Sequence, residues 1–263
     1  MFVRFLGVGE AWDCRHPNVS MLVDDGKTSL LLECGVSSQY PMIRFLEEEK
    51  RDLDYLDGIF ISHLHFDHAE GVAGVLAIMS AFDHAPGLKP RKKPLAIMLP
   101  KGGKKILIDC INSHHPGLIE KLGYGLKFIE VSPGDEMGFK TLKLRFAESR
   151  HSRMTLAVRI ESGGKSLAYS GDGAPTEDSM RLYDGVDLLV HEAYSIGGSK
   201  AIAHGTVINL LDKVKKIDVN KLAFVHINRH ERKNRMKEIL ETIEKSGLKD
   251  KVFIPEDGDK INI

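Results

Sequence analysis

The 263-residue chain carries 37 lysines plus arginines and 37 aspartates plus glutamates, so it has no net positive charge that would attract a long polyphosphate. With 42% hydrophobic residues it can bury a substantial core, and its length predicts one domain over residues 1–263. Three well-separated cysteines without a Cys-x-x-Cys pair are typical of reduced thiols in a cytoplasmic protein. No apolar stretch approaches the roughly 20 residues that span a bilayer, so we expect no membrane partner.

The first third of the chain predicts strands and one helix. Residues 1–6 form a short apolar run that indicates a first strand and not a signal peptide. The apolar runs 18–23 and 28–33 flank the turn sequence Asp-Asp-Gly-Lys, which predicts a β-hairpin. Residues 41–50 have the spacing of an amphipathic helix.

A dense polar motif follows a predicted buried strand at 58–61. Within six residues it contains His63, His65, Asp67 and His68. In extended backbone, residues two apart project to one side, so His63, His65 and Asp67 can face one pocket while His68 is aimed differently. Imidazoles with a carboxylate are the donors that Zn²⁺ and similar ions accept. Because one ion cannot easily collect four donors from so tight a loop, the motif predicts two adjacent ions rather than an exposed polar loop.

The middle of the chain is less regular. A helix is predicted at 69–82, and the proline- and lysine-containing segment 84–94 fits either a solvated loop or a substrate-facing basic lid. Beyond it we predict a strand, two short helices and two strands joined by a Pro-Gly-Asp-Glu turn, at residues 95–99, 103–112, 116–122, 126–131 and 141–146.

The second half repeats the pattern of strands followed by helices. It contains a predicted hairpin, two buried strands and two helical stripes, at residues 155–161 with 166–170, 186–190, 222–225, 207–214 and 236–243. Such runs in each half predict an α+β fold in which two mixed sheets pack face to face with helices outside, a four-layer αββα sandwich.

Polar residues recur at the carboxyl ends of predicted strands in both halves. Besides the first motif, these residues are His151, Asp172, His191, Glu192 and His226. Strand ends converge at a sheet rim, so residues remote in sequence can meet there. Each of them alone also fits an ordinary surface or turn position; together they supply what a two-ion site needs.

The order and spacing of these residues resemble the metallo-β-lactamase superfamily over essentially the whole chain. Four further segments are similar to motifs of its ribonuclease Z branch: Leu32-Glu33-Cys34-Gly35 with Gln39 (Asp-Cys-Gly), His191-Glu192-Ala193 (His-Glu-Ala-Thr), Ala203-His204-Gly205-Thr206 (His-Ser-Thr) and His226-Ile227-Asn228-Arg229-His230 (His-x-Ser-x-Arg-Tyr).

The resemblance implies two metal sites that share a carboxylate and a water or hydroxide. The first would use His63, His65 and His151, the second would use Asp67, His68 and His226, and Asp172 would bridge them. We expect zinc, with manganese or iron as alternatives, because these ligand types accept all three.

The resemblance also implies catalytic roles. Asp67 would ligate metal and orient or deprotonate the nucleophile. Glu192 would orient His204, which would donate a proton to the departing alkoxide. His204 as a plain surface histidine is the competing interpretation.

The chain differs from the ribonuclease Z branch in two respects: the absence of a long arm between two ligands, and the last residue of two of the motifs. No long glycine- and proline-rich arm fits between His151 and Asp172, and Tyr194 and His230 replace the motif threonine and tyrosine. Transfer-RNA maturation is therefore not expected from an arm of that kind. Candidate phosphate contacts, which also fit a solvated surface, are Arg229, Arg232, Lys233, Arg235 and the basic residues of 89–93.

The leading hypothesis is a binuclear metal-dependent phosphodiesterase that uses a metal-bridging hydroxide and acts on RNA 3′ ends, a cyclic nucleotide or a small phosphodiester. The alternative is a carboxylic ester, lactone or thioester hydrolase on the same metal site. Glu192 and His204 favour the first, because an alkoxide leaving group needs a proton donor. A non-enzymatic binding module is disfavoured, since a scaffold has no need of seven metal ligands. The resemblance also suggests a homodimer.

Overall fold

The computed structural model describes residues 1–80, 91–198 and 203–263, and its strands and helices are those of these three ranges. Strands are numbered along the chain. The first sheet contains β1 (Phe2–Gly7), β2 (Ser20–Asp24), β3 (Ser29–Leu32), β4 (Gly58–Phe60), β5 (Leu95–Pro100), β6 (Leu126–Val131) and β14 (Lys260–Asn262). The second contains β7 (Glu136–Phe139), β8 (Leu142–Ser149), β9 (Thr155–Ser162), β10 (Lys165–Tyr169), β11 (Val186–Glu192), β12 (Val219–Val225) and β13 (Val252–Phe253).

Both sheets are mixed in the same way. The first has the order β14-β1-β2-β3-β4-β5-β6 and the second β13-β12-β11-β10-β9-β8-β7. In each, an antiparallel part continues into parallel strands, β3 to β6 in the first sheet and β10 to β13 in the second. Parallel strands end at the same edge, so their carboxyl ends bring loop residues together.

Helices cover the outer face of each sheet. Their bounds are α1 (Gln39–Glu48), α2 (Phe66–Ala69), α3 (Gly71–Ser80), α4 (Gly103–His114), α5 (Glu177–Tyr183), α6 (Val207–Val214), α7 (Arg229–Asn234) and α8 (Met236–Lys245), with a 3₁₀ turn at Ile119–Lys121. Apolar side chains of α1, α3 and α4 pack on the first sheet, and those of α5, α6 and α8 pack on the second.

A third apolar layer lies between the two sheets. It draws on both of them, and Phe60 of β4 stacks on Phe146 of β8 with ring centroids 5.7 Å apart. An aromatic pair of this kind contributes about 0.5–1.5 kcal/mol beyond its buried area. Three apolar layers between four layers of structure confirm the predicted αββα sandwich.

The prediction of a direct turn between strands 126–131 and 141–146 was wrong. These strands lie in different sheets, and β7 intervenes. It pairs with β8 through a tight turn at Lys140, whose φ of 52° suits a two-residue hairpin loop. The strand escaped the sequence pattern because it is short, largely exposed and contains Gly138.

Other differences concern helices. The predicted helix at 116–122 is only the 3₁₀ turn. Within the described part of the predicted helix at 69–82, α3 covers Gly71–Ser80, and a separate short helix, α2, precedes it at Phe66–Ala69. Residues 81–82 of that prediction and 84–90 of the proposed basic loop lie outside the described residues. Among the helices of the described part, none combines the length and apolar character that crossing a membrane would require.

Candidate metal centre

The polar motif is held by backbone contacts with the loop that follows β3. The Cys34 N–H donates to the His68 carbonyl at 2.9 Å, and the Gly71 N–H donates to the Cys34 carbonyl at 2.9 Å. His65 precedes α2 with extended backbone, whereas Asp67 and His68 lie within this one-turn helix. The prediction that Asp67 faces the same pocket as His63 and His65 was therefore wrong, because helical backbone from Phe66 onward turns Asp67 towards the cluster that contains His68.

The first cluster contains His63, His65, His151 and Asp172. His65 Nδ1 lies 2.9 Å from His63 Nε2 and 3.2 Å from His151 Nε2. Asp172 Oδ2 lies 3.4 Å from His151 Nε2 and 4.0 Å from His63 Nε2. Two ligand atoms about 2.0–2.1 Å from one tetrahedral zinc lie roughly 3.3 Å apart, so these separations suit a shared ion.

The second cluster contains Asp67, His68, His226 and the same Asp172. Asp67 Oδ2 lies 3.2 Å from His68 Nε2 and 3.3 Å from His226 Nε2. Asp172 lies 3.8 Å from His68 Nε2 through Oδ2 and 3.4 Å from His226 Nδ1 through Oδ1. In each cluster the candidate ligand atoms all lie within 4.8 Å of one another. The structure therefore brings together all seven predicted ligands, with Asp172 in both groups.

Several buried polar atoms of these clusters have no hydrogen-bond partner among the described residues. Among the described residues, both ring nitrogens of buried His68, Nδ1 of His226 and Oδ1 of Asp172 make no hydrogen bond. A buried polar group without a partner costs about 1–3 kcal/mol, and several together are best explained by bound cations. The donors therefore fit two divalent ions.

Charge and burial also suit metal ions. Burial, aided by the nearby His68, holds the pKa of His63 well below its usual range, so this imidazole is neutral and free to ligate. Although burial opposes ionisation, His226, His204 and His68 hold the pKa of Asp172 well below its usual range. Burial likewise disfavours charged His68, but Asp67 and Glu33 raise its pKa well above the usual value. Metal binding to His68 would therefore release a proton.

Besides Asp67, the carboxylate of Glu33 lies close to the His68 ring. Fully buried Glu33 has Oε1 3.5 Å from His68 Nδ1 and accepts a hydrogen bond from the Ser62 N–H at 3.1 Å. Such a partner fixes the orientation of a ligating imidazole. The sequence motif around Glu33 gave this carboxylate no role. Both Glu33 and His226 adopt positive φ, 65° and 54°, a strain that often accompanies functional sites.

Gly35 provides a test of how closely the motif loop is packed. A Cβ on Gly35 would lie 1.9 Å from the Asp67 carbonyl oxygen. Gly35→Ala must therefore displace the loop, and we expect a loss of about 1–3 kcal/mol in stability together with weaker metal binding, measured by thermal unfolding and metal titration. Gly138→Ala is the matched control, because its Cβ would meet no atom within 4 Å. Equal behaviour of the two variants would contradict the expectation.

A third cluster adjoins the first two. It contains Asp172, Glu192 and His204. Glu192 accepts backbone hydrogen bonds from Tyr194, at 3.0 Å, and from Gly205. His204 Nδ1 lies 3.1 Å from Asp172 Oδ1 and 3.7 Å from Glu192 Oε1. Burial disfavours the imidazolium, but the two carboxylates outweigh it and raise the pKa of His204 to about 10.

The candidate phosphate contacts do not share one location. Arg229, three residues after His226, donates to Oε1 of buried Glu10 at 2.8 Å, and Glu10 also accepts from the Trp12 N–H at 2.9 Å. Trp12 is 65% exposed and lies against Phe66 of the motif, with ring centroids 5.0 Å apart. Arg229 is thus held beside the motif loop. Glu10 and Trp12 were missed, since no local pattern connects them to residues more than 50 positions away.

The other candidate cations that the structure describes between residues 229 and 235, and Arg91, have structural partners or are exposed. Buried Arg91 donates to the Leu53 and Pro94 carbonyls, so it is not available as part of a basic lid. Arg232 is buried against Glu256, and Arg235 pairs with Glu231 and Glu238. Lys233 is exposed.

The fold and the donor set define this chain as a metallo-β-lactamase-fold protein with a histidine–aspartate metal centre. Solved structures agree on the fold. The metallo-β-lactamase fold protein YhfI from Bacillus subtilis has a TM-score of 0.76 at 18% identity, covering 99% of this chain and 98% of its own. The short form of human tRNase Z has a TM-score of 0.73 at 19% identity, covering 100% and 99%.

The chain belongs to the Apyc1 family, because the family model described as "Anti-Pycsar protein Apyc1" matches residues 1–246. It is also 25% identical over 286 residues to a ribonuclease Z from Methanosarcina mazei, an alignment that covers 86% of this chain and 87% of that protein. The predicted resemblance to ribonuclease Z-like metal-dependent hydrolases is confirmed by these relatives.

Proposed function

We propose that this protein is a binuclear metal-dependent phosphodiesterase that acts on an RNA 3′ end, a cyclic nucleotide or a small phosphodiester. The observation that carries the proposal is the position of Glu192 and His204 beside the two metal clusters, joined to them by Asp172. The ribonuclease Z and tRNase Z relatives support the same reaction class.

Two divalent ions bound by these donors would lower the pKa of a water molecule and offset charge on the phosphoryl oxygens. Zinc fits the nitrogen-rich donor set, and manganese or iron are alternatives that metal analysis of the purified protein would distinguish.

The side chains have distinct tasks in the proposed reaction. Asp67 accepts a proton from the attacking water and keeps it facing the phosphorus. Glu192 is tied to the backbone of Tyr194 and Gly205, so its carboxylate is a fixed support for His204. His204 gives its proton to the oxygen that leaves phosphorus. A carboxylic ester with a weakly basic leaving group would not need this donor.

The surroundings favour a substrate that needs no long RNA-binding arm. Residues 152–171, where such an arm would lie, are occupied by β9, β10 and their short turn. The balanced charge of the chain also provides no general attraction for a long polyanion. Among the described candidates, Arg229, which is anchored by Glu10 and lies three residues after His226, is the cation that we assign to a substrate phosphate. A homodimer belongs to this proposal as well, and sedimentation of the purified protein would test it.

The proposal is tested by turnover of bis(p-nitrophenyl) phosphate by metal-loaded protein. We expect saturable release of p-nitrophenol that Asp67→Ala loses, because Asp67 is both a metal donor and the proton acceptor. Asp212→Ala is the matched control, since Asp212 is exposed on α6 and pairs only loosely with Lys215 at 3.7 Å. If the protein binds two ions and cleaves p-nitrophenyl esters or lactones but no phosphodiester, the proposal is wrong and the carboxylic ester alternative holds.

A further inference from the structure

The Tyr194 ring lies flat against the His204 imidazole. Their ring centroids are 4.6 Å apart and the planes differ by only 20°. The Tyr194 backbone is fixed at both ends: its N–H donates to the Gly205 carbonyl at 3.1 Å, and its carbonyl accepts from the Asn228 N–H at 3.0 Å. The segment that carries Tyr194 is therefore joined both to the residue after His204 and to the loop after His226.

Among the described residues, the other close neighbours of His204 approach its edges, and the nearly parallel ring of His226 is farther away, with ring centroids 6.4 Å apart. Asp172 and Glu192 approach a single atom, Nδ1, and within the described residues that atom makes no well-aligned hydrogen bond. His151 meets the ring edge-on, at 4.9 Å with an interplanar angle of 70°. An imidazole held through one atom can still tilt about it, unless a second group covers one of its faces.

Tyr194 is also a departure of this chain from the ribonuclease Z-like motif, which has threonine at this position. A threonine side chain has no ring, so it cannot cover the face of His204. The face-to-face contact is therefore a feature of this sequence that the shared motif does not supply.

We infer that Tyr194 is a positioning residue that holds the His204 imidazole in the plane from which it protonates the leaving group. The inference rests on the proposed phosphodiesterase reaction. There, the water oxygen bonds to phosphorus while Asp67 takes one water proton. The bond between phosphorus and the leaving oxygen breaks, its electron pair stays on that oxygen, and the His204 proton converts it to an alcohol. The other product is a phosphomonoester.

Phosphodiesters with graded leaving groups test the inference, from p-nitrophenolate through phenolate to a ribose alkoxide. A misplaced proton donor matters only where the leaving oxygen is strongly basic. For Tyr194→Ala we expect kcat on the alkoxide substrate to fall roughly 10- to 100-fold, with a change of no more than about twofold on the p-nitrophenyl substrate. Tyr194→Phe retains the ring and should restore the alkoxide rate. Tyr40→Ala, which removes an exposed tyrosine of α1, is the matched control.

A double-mutant cycle completes the test. Because Tyr194 acts through His204, adding Tyr194→Ala to His204→Ala should cause no further loss on the alkoxide substrate. Equal loss across all leaving groups, failure of Tyr194→Phe to restore the rate, or an independent loss in the His204→Ala background would each overturn the inference. Wild-type protein that cleaves none of the series would instead overturn the proposed function. Metal content and thermal unfolding of each variant identify a folding defect.

Discussion

Asp172→Asn is expected to abolish metal binding at both clusters and to reduce phosphodiester turnover on the order of a thousandfold. Asp172 is the one residue shared by the two clusters, with Oδ2 3.4 Å from His151 and Oδ1 3.4 Å from His226. An amide has the same shape but no charge, so it offers one weak oxygen donor where two cations need a carboxylate. Metal charge is worth several kcal/mol in such reactions, and about 4 kcal/mol corresponds to a factor of a thousand.

The measurement is metal content by mass spectrometry beside turnover of bis(p-nitrophenyl) phosphate. Asp212→Asn makes the same change on the exposed face of α6 and should leave both quantities unchanged. An Asp172→Asn protein that retains two ions and most of its activity would show that Asp172 does not bridge the clusters.

His204→Ala is expected to have a comparably large effect, and one that depends on the leaving group. Loss of a general acid costs about 10²- to 10⁴-fold where the departing oxygen is an alkoxide. The loss should be far smaller for p-nitrophenolate, which leaves without a proton. Because His204 is a candidate proton donor and not one of the seven metal ligands, the variant should still bind its ions.

Steady-state rates on the two kinds of phosphodiester, together with metal content, check this expectation. His115→Ala is a suitable control, since His115 is exposed beyond the end of α4. Uniform loss on both substrates, with normal metal content, would point to a substrate-binding role for His204. Undiminished alkoxide cleavage would show that His204 is not the proton donor, despite its position beside Asp172 and Glu192.

Local sequence patterns identified the first metal motif but not how its side chains divide. His63, His65, Asp67 and His68 are close in the chain, and alternation in extended backbone predicted that Asp67 faces the same pocket as His63 and His65. Because α2 begins at Phe66, Asp67 instead joins His68 in the second cluster. Strands with strong apolar character, such as β11 and β12, could also be predicted, because burial selects their residues directly. The resemblance then supplied the remaining ligands in their order.

Elements with a weak local sequence pattern were not predicted where residues distant in the chain stabilise them. β7 is a mostly exposed strand that exists because β8 pairs with it. α5 was not predicted, since it has only seven residues; its Thr176 capping box and its packing against β8 and β9 stabilise it. Short elements gain little from intrinsic propensity and depend on tertiary packing.

The sequence by itself determined the donor types and the class of fold, because those depend on residue identity and short-range periodicity. The roles of Glu192 and His204 were implied by the resemblance to ribonuclease Z-like motifs. Only the tertiary structure decided which of the candidate residues meet. The approach of Asp172 to both clusters depends on the register of two sheets, and the contact of Glu10 with Arg229 joins residues 219 positions apart. The stacking of Tyr194 on His204 depends on how two loops pack together. Such contacts arise from long-range pairing, which leaves no periodic trace along the chain.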